Sequence, residues 1–243
     1  MNLLVDIGNT RLKWAVLQDG GFVTGRALVN RQITRHGLVE AWKMQTQPER
    51  LAIACVSSTP LLELVLAVVV ELWPTIEIIR AKSQAYAYGV YNAYQQPEKL
   101  GVDRWLALVA VRNHYQLPAC IVDCGTAITV DLIDADGKHQ GGLICPGLTL
   151  MKKALAQGTD ALQFHETNYA FGPANFTEAA IYSGTLSAAV GLIEHVLTKQ
   201  SKAIQLILTG GDAGIIAAQL AIKPIIDNDL VLRGLAIVLE GQT

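Results

Sequence analysis

The feature that most restricts this 243-residue chain is an internal repeat. Leu3-Leu4-Val5-Asp6-Ile7-Gly8-Asn9-Thr10 and Cys120-Ile121-Val122-Asp123-Cys124-Gly125-Thr126-Ala127 share one design. Each is a short apolar strand, an aspartate, one spacer, a glycine, and then small hydroxyl or amide residues. The stretches after the two copies are also alike. After the first copy come Leu12 to Leu17, the turn Asp19-Gly20-Gly21 and Phe22 to Leu28. After the second come Ile128 to Ile133, the turn Asp134-Ala135-Asp136-Gly137 and Gly142 to Ile144. Alternating apolar residues about an Asp/Gly turn predict hairpins. Each half therefore opens with three consecutive antiparallel strands, with the aspartate at the first bend. The second copy starts near the midpoint, which predicts two related α/β domains, residues 1–115 and 116–243.

Each half then alternates helices and strands. Leu51 to Val56 reads as a buried strand, and Ser57-Ser58-Thr59-Pro60 as the start of a helix over Leu61 to Leu72, with proline in the first turn. Ile76 to Ile79 is a further short strand. Asp103 to His114 is predicted helical, with Leu106, Val109 and Ala110 on one face. In the second half Leu148 to Gln157, Thr177 to Leu197 and Leu230 to Leu239 read as helices, and Ala203 to Leu208 as a strand. The apolar face of Ala180 to Leu197 suits either a core or a dimer helix. The run Tyr86-Ala87-Tyr88-Gly89-Val90-Tyr91 suits a strand better than a pocket wall.

Composition excludes several classes. Hydrophobic residues make up 51% of the chain, enough apolar surface to offset the entropy of ordering it. Nineteen basic and 21 acidic residues give a formal charge of −2 with no long basic run, so no nucleic-acid surface is expected. The apolar stretch Leu61 to Trp73 is interrupted by Glu63 and Glu71 and is too short for a bilayer, so no membrane partner is expected. The opening residues carry an acid and no basic leader, which argues against a secretory signal. Cys55, Cys120, Cys124 and Cys145 form no Cys-x-x-Cys pair, which fits a reducing cytoplasm, and Cys120 and Cys124, on one strand face, read as packing residues. His36, His114, His139, His165 and His195 lack metal-ligand spacing and read as surface or packing residues.

The two Asp-x-Gly bends carry the first chemical argument. Glycine lets the backbone bend tightly and approach an anion. The next amides along, with the hydroxyls of Thr10 and Thr126, suit phosphate oxygens. An ionised aspartate repels phosphate unless a cation intervenes, so Asp6 is read as holding Mg²⁺ through water. One such bend alone is an ordinary turn; the second copy, Asp123 to Ala127, favours the phosphate reading. A third glycine loop, Thr209-Gly210-Gly211-Asp212, comes after a strand and precedes a helical pattern. Gly101-Val102-Asp103-Arg104 sets a carboxylate beside a guanidinium at a helix start. Asp103 is either an N-cap or a base that accepts a hydroxyl proton during phosphoryl transfer. Arg104 is either a solvated charge or the partner of a substrate carboxylate.

The repeated halves resemble the actin-like ATPase (ribonuclease H-like) fold of acetate and sugar kinases, Hsp70 and actin, in which two related domains close over ATP. More narrowly, the chain resembles the type III pantothenate kinases. That resemblance is carried in order by Asp6-Ile7-Gly8-Asn9-Thr10, Gly101-Val102-Asp103-Arg104, Asp123-Cys124-Gly125-Thr126-Ala127, Asn175-Phe176-Thr177-Glu178-Ala179 and Gly210-Gly211. It implies ATP-dependent phosphorylation of the primary hydroxyl of pantothenate, the first committed step towards coenzyme A. It implies Asp103 as general base, and Gly101, Val102, Asp103 and Arg104 as a substrate strip with Arg104 facing the pantothenate carboxylate. Tyr94 and Thr177 are implied as further pantothenate contacts, with Tyr91 as the alternative to Tyr94. The implied ATP contacts are Asp6, Ile7, Gly8, Asn9, Thr10, Arg11, Leu12, Lys13, Gly125, Thr126, Gly210 and Gly211. Asp123 is implied as the ligand of a monovalent cation, K⁺ or NH₄⁺, and the chain as a homodimer. Two other readings compete: another kinase or a polyphosphate phosphatase of the same fold, and a non-catalytic nucleotide sensor. Arg104 beside Asp103 favours an acidic acceptor over a neutral sugar.

Overall fold

The computed structural model describes residues 1–18, 21–158, 162, 167–201 and 203–241. The expected turn at Asp19 and Gly20, and His165, lie outside the described residues. The chain divides into two compact units, one of Met1–Tyr115 with Asp229–Thr243 and the other of Gln116–Asn228.

The first unit opens with β1 (Asn2–Ile7), β2 (Arg11–Gln18), β3 (Gly21–Thr24) and the short β4 (Leu28–Val29). Strands β1, β2 and β3 form an antiparallel meander, as the repeat predicts. The expected third strand, Phe22 to Leu28, is split. The Gly25 amide donates to the Trp14 carbonyl at 2.9 Å, and the chain resumes as β4, paired with the start of β2. Next come helix α1 (Arg35–Trp42), β5 (Arg50–Cys55), α2 (Thr59–Leu72) and β6 (Glu77–Arg80). Pro60 lies in the first turn of α2, where its missing N–H leaves no intrahelical bond unmade. The sheet order is β3-β2-β1-β5-β6, with β5 and β6 parallel to β1.

One face of this sheet presents Leu3, Val5, Ile7, Leu12, Trp14, Val16, Leu51 and Ile53 to a core shared with α1 and α2. Trp42 of α1 anchors that core, with ring centroids 6.3 Å from Trp14 and 6.5 Å from Trp73. Helix α1 escaped the periodicity reading because only Leu38 and Trp42 are buried along it. Its signals were an i, i+4 apolar pair and Thr34, whose hydroxyl accepts from the Gly37 amide at 3.1 Å. After β6 the tyrosine run forms a small hairpin, β7 (Tyr86–Ala87) and β8 (Val90–Tyr91). Helix α3 (Val102–His114) completes the first half.

The second unit repeats the plan with β9 (Ala119–Cys124), β10 (Ala127–Ile133) and β11 (His139–Pro146), an antiparallel meander. Then come α4 (Leu148–Gly158), α5 (Thr177–Thr198), β12 (Gln205–Thr209), α6 (Ala213–Ala217) and β13 (Ile225–Ile226). The sheet order is β11-β10-β9-β12-β13. Cys120, Val122, Cys124, Ile128 and Val130 share a core with α5 and α6. Helix α5 is long and apolar enough to cross a membrane by length and composition, but Tyr182, Leu186, Ala189, Val190 and Ile193 lie in that core. The dimer-helix alternative is thus not needed to account for its apolar face.

The last helix, α7 (Leu230–Glu240), packs on α3, β1 and β5. The 116–243 span expected for the second domain therefore differs from the compact unit, which stops at Asn228. The reason is apolar. Leu230, Leu232, Leu235 and Leu239 are buried, and the first sheet offers α7 the face opposite the tryptophan core.

Candidate active site

In the first unit, β1 carries Asp6 to the edge of the loop that leads into β2. Asp6 is 7% exposed and stands directly across the β1–β2 pair from Lys13, which sets a cation beside the carboxylate. The Gly8 amide donates to the Arg11 carbonyl at 3.0 Å, so it closes the turn and is already committed within the chain. Asn9, Thr10 and Arg11 are exposed, while the side chains of Ile7 and Leu12 belong to the apolar core. A residue missed in the sequence braces this loop. The Asn30 carboxamide donates to the Gly8 carbonyl at 2.7 Å, and its amide N–H donates to the Thr10 carbonyl at 2.9 Å. Its position twenty residues after the loop carried no local signal.

The same unit holds the Gly-x-Asp-Arg element at the start of α3. Gly101 occupies the N-cap position, where it has no side chain to cap with, and Asp103 lies in the first turn. There the carboxylate is favoured by the helix dipole. Asp103 accepts the Arg104 amide N–H on Oδ1 at 2.8 Å, a one-residue contact rather than an N-cap bond. A Cβ on Gly101 would stand 2.6 Å from that oxygen, so glycine keeps the space that the carboxylate occupies. Arg104 is 6% exposed, and one guanidinium nitrogen donates to the Tyr94 hydroxyl at 2.7 Å. It is therefore not a solvated charge. Tyr91 instead stacks on Tyr86 of the hairpin, with centroids 4.2 Å apart, and is 47% exposed. Of the two tyrosines, Tyr94 is the one that meets the Gly-x-Asp-Arg element.

In the second unit, two glycine loops meet. The β9 end carries Asp123, and the Gly125 amide donates to the Ala127 carbonyl at 3.1 Å, closing this turn as Gly8 closes the first. Thr126 is exposed. Strand β12 runs parallel to β9 with Thr209 aligned to Asp123, so the third loop begins beside the second. Gly210 has φ +93°, and a Cβ there would stand 2.5 Å from Asp123 Oδ1 and from the Cys124 carbonyl oxygen. Only glycine fits at that backbone angle and contact. The Asp212 amide donates to the Cys124 carbonyl at 2.9 Å, and the Gly147 amide to the Thr126 carbonyl at 2.9 Å. Gly147 was not singled out in the sequence. Gly211 is exposed, as is Thr177, the first residue of α5.

Burial pushes the Cys120 thiol up to about 12, with the Asp131 carboxylate adding to the effect. Burial, helped by the charges of Asp123 and Asp212, pushes the Cys124 thiol up as well. His139 is buried and shares a 2.8 Å hydrogen bond with Asp131, while His36, His114 and His195 are exposed. No group of three or more His, Cys, Asp or Glu residues forms a metal cage among the described residues. Each cation expectation thus rests on one carboxylate, Asp6 or Asp123. At Asp123 a Cβ on Gly125 or Gly210 would stand 3.3 Å or 2.5 Å from Oδ1, so the two glycines leave space at that oxygen. Asp6 is a buried strand-end carboxylate next to an exposed loop.

Comparison with known proteins gives the same frame. The chain is similar over its whole length to the type III pantothenate kinase of Nitrosococcus oceani, at 43% identity, covering 95% of that protein. It is 38% identical to the type III pantothenate kinase of Halorhodospira halophila over 97% of this chain and 96% of that one. Among solved structures, one from Campylobacter jejuni named as a Baf family transcriptional activator has a TM-score of 0.64 at 24% identity, covering 99% of this chain and 98% of that one. A 2-dehydro-3-deoxygalactonokinase protein from Sinorhizobium meliloti has a TM-score of 0.60 at 11% identity, covering 99% and 96%. At these identities the two structures bear on the fold alone, which this chain shares with them. The model of the type III pantothenate kinase family matches residues 2–199, and the chain belongs to that family.

Proposed function

We infer that the chain transfers the γ-phosphoryl group of ATP to the primary hydroxyl of pantothenate, with Asp103 as general base. The family supports the reaction and its place as the first step towards coenzyme A. The observation that carries the roles is the pairing at α3: a half-buried carboxylate held on one oxygen, next to a buried guanidinium bound to a tyrosine. A base and an anion receptor on adjacent residues suit an acceptor that carries both a hydroxyl and a carboxylate.

Each residue then has one task. Arg104, Tyr94, Gly101, Val102 and Thr177 bind and orient pantothenate, with the guanidinium facing its carboxylate. The Arg104 amide holds Asp103 by Oδ1, which orients the carboxylate that accepts the hydroxyl proton. The freed alkoxide forms its bond to the γ-phosphorus as the bond to the bridging oxygen breaks, and ADP carries the electron pair away. Residues 6–13, Gly125, Thr126, Gly210 and Gly211 are the ATP contacts. Asp6 would hold Mg²⁺, which would offset charge on the triphosphate, and Asp123 would hold K⁺ or NH₄⁺, which would add positive charge there. Because the phosphoryl transition state is loose, positioning and electrostatics supply most of the acceleration. The chain acts as a homodimer in the cytoplasm, which size-exclusion chromatography of the purified protein checks for the first part.

The test is ADP release from ATP with pantothenate, with and without K⁺ and Mg²⁺, in the native chain and in Asp103→Asn. The variant keeps the shape and loses the base, so kcat should fall about a hundredfold or more while ATP binding survives. Near-native turnover would remove Asp103 from the role. Turnover with other acceptors but not with pantothenate would point to a different kinase of this fold.

A further inference from the structure

Asn92 lies just past β8, two residues before Tyr94, and no reading of the sequence marks it. In the structure it is a densely bonded polar side chain on the approach to the Gly-x-Asp-Arg element. Its carboxamide nitrogen donates to the Gln84 carbonyl at 3.1 Å and to the Pro97 carbonyl at 3.2 Å. Its carboxamide oxygen accepts the Tyr94 amide N–H at 3.0 Å. Its own amide donates to the Ala85 carbonyl at 2.9 Å. Both protons and the oxygen of the carboxamide are thus engaged by main-chain atoms of three segments: the chain before β7, the Tyr94 stretch, and a 3₁₀ turn at Pro97–Lys99.

That last turn leads through Leu100 into Gly101 and α3, and Leu100 is itself held by Ser83, whose hydroxyl donates to its carbonyl at 2.8 Å. Tyr94 otherwise sits in an irregular stretch between β8 and the turn. A loop without ladder hydrogen bonds keeps a side chain in place only if something else fixes its backbone. Asn92 does so on the amide of Tyr94 itself, and the Tyr94 hydroxyl meets Arg104.

We propose that Asn92 is a positioning residue for the acceptor pocket: it clamps the loop that presents Tyr94 and thereby sets where the Arg104 guanidinium points. With its carboxamide committed to the main chain, Asn92 acts through Tyr94 and Arg104 rather than on substrate. This rests on the reading of those two residues as pantothenate contacts.

The experiment is steady-state ADP release by the full chain, varying pantothenate at saturating ATP and then ATP at saturating pantothenate. It compares Asn92→Ala, Asn92→Asp and Arg104→Met with the native chain. Asn92→Ala should raise the pantothenate KM about tenfold, the scale of losing one or two net hydrogen bonds, with the ATP KM within about twofold. Asn92→Asp keeps the acceptor for the Tyr94 amide and loses the two donors, so its pantothenate KM should lie between. Arg104→Met tells the two ideas apart. If it leaves the pantothenate KM unchanged, the reading of the pocket fails. If it raises that KM while both Asn92 variants keep the native one, the clamp is overturned. An equal rise in both KM values, or a lowered melting temperature with native KM values, also overturns it, since either is what a purely structural residue gives. Should Asn92→Ala not fold, Asn92→Asp carries the same comparison.

Discussion

The phenolic oxygen of Tyr94 accepts a 2.7 Å hydrogen bond from the buried guanidinium of Arg104, ten residues further along. A hydrogen bond to a charged group contributes about 1.5–3 kcal/mol. Tyr94→Phe removes this acceptor and little else. The pantothenate KM should rise about tenfold with the ATP KM unchanged, and the melting temperature should fall by a few degrees, roughly in line with that contribution. Kinetics and thermal unfolding of the same preparation check both.

Gly101→Ala tests the space beside Asp103, the proposed base. The added Cβ would stand 2.6 Å from Asp103 Oδ1, closer than carbon and oxygen approach without bonding. The carboxylate must swing away from the Arg104 amide. Since the Gly101 backbone angles, φ −52° and ψ 133°, suit alanine, the fold should tolerate the change. We expect kcat to fall at least tenfold with the melting temperature within a few degrees of native. Native kcat would mean that the orientation of Asp103 is not set here.

Gly210→Ala should behave differently, because backbone and contact both forbid it. At φ +93° an L side chain is strained, and the Cβ would meet Asp123 and the Cys124 backbone at 2.5 Å. A loss of about 1–3 kcal/mol of stability is expected, together with a raised ATP KM, as two loops are pushed apart. Denaturant unfolding and ATP titration of the kinetics read the two effects. A stable variant with a native ATP KM would detach the third loop from nucleotide binding.

The buried thiols give a pH dependence. Cys120 ionises near 9.0 when exposed and at about 12 in the folded chain, because burial disfavours the thiolate. A raised folded-state value means that the unfolded chain loses its proton first. The stabilisation is fully present below pH 9 and is lost as pH rises from 9 to 12. Its full size is on the order of 4 kcal/mol, before counting other groups that titrate in that range. Unfolding free energies measured from pH 8 to 10.5 should therefore decline, and Cys120→Ala should flatten part of that decline. In the native chain, iodoacetamide at pH 8 should leave Cys120 unmodified, as mass spectrometry of the digested protein would show.

Much of this protein was legible in one dimension. Two copies of an apolar strand ending in Asp-x-Gly, each leading into alternating residues around an Asp/Gly turn, were enough to place both meanders, because side-chain alternation and turn chemistry are local. The helices at 59–72, 102–114, 177–198 and 230–240 were legible for the same reason, being long and periodic. The Gly-x-Asp-Arg strip and the loops at Asp6 and Asp123 were also visible, since each is a run of adjacent residues.

What tertiary structure alone decided is which distant atoms share a space. The pairing of β12 beside β9 brings Gly210 against Asp123, 87 residues apart by their numbers. The braces Asn30 and Asn92, and Gly147 under Thr126, act through main-chain carbonyls and amides that carry no side-chain signature. The return of α7 to the first sheet was equally hidden. An apolar helix states that it will be buried, but not against which sheet; here it is buried against α3 and the first sheet.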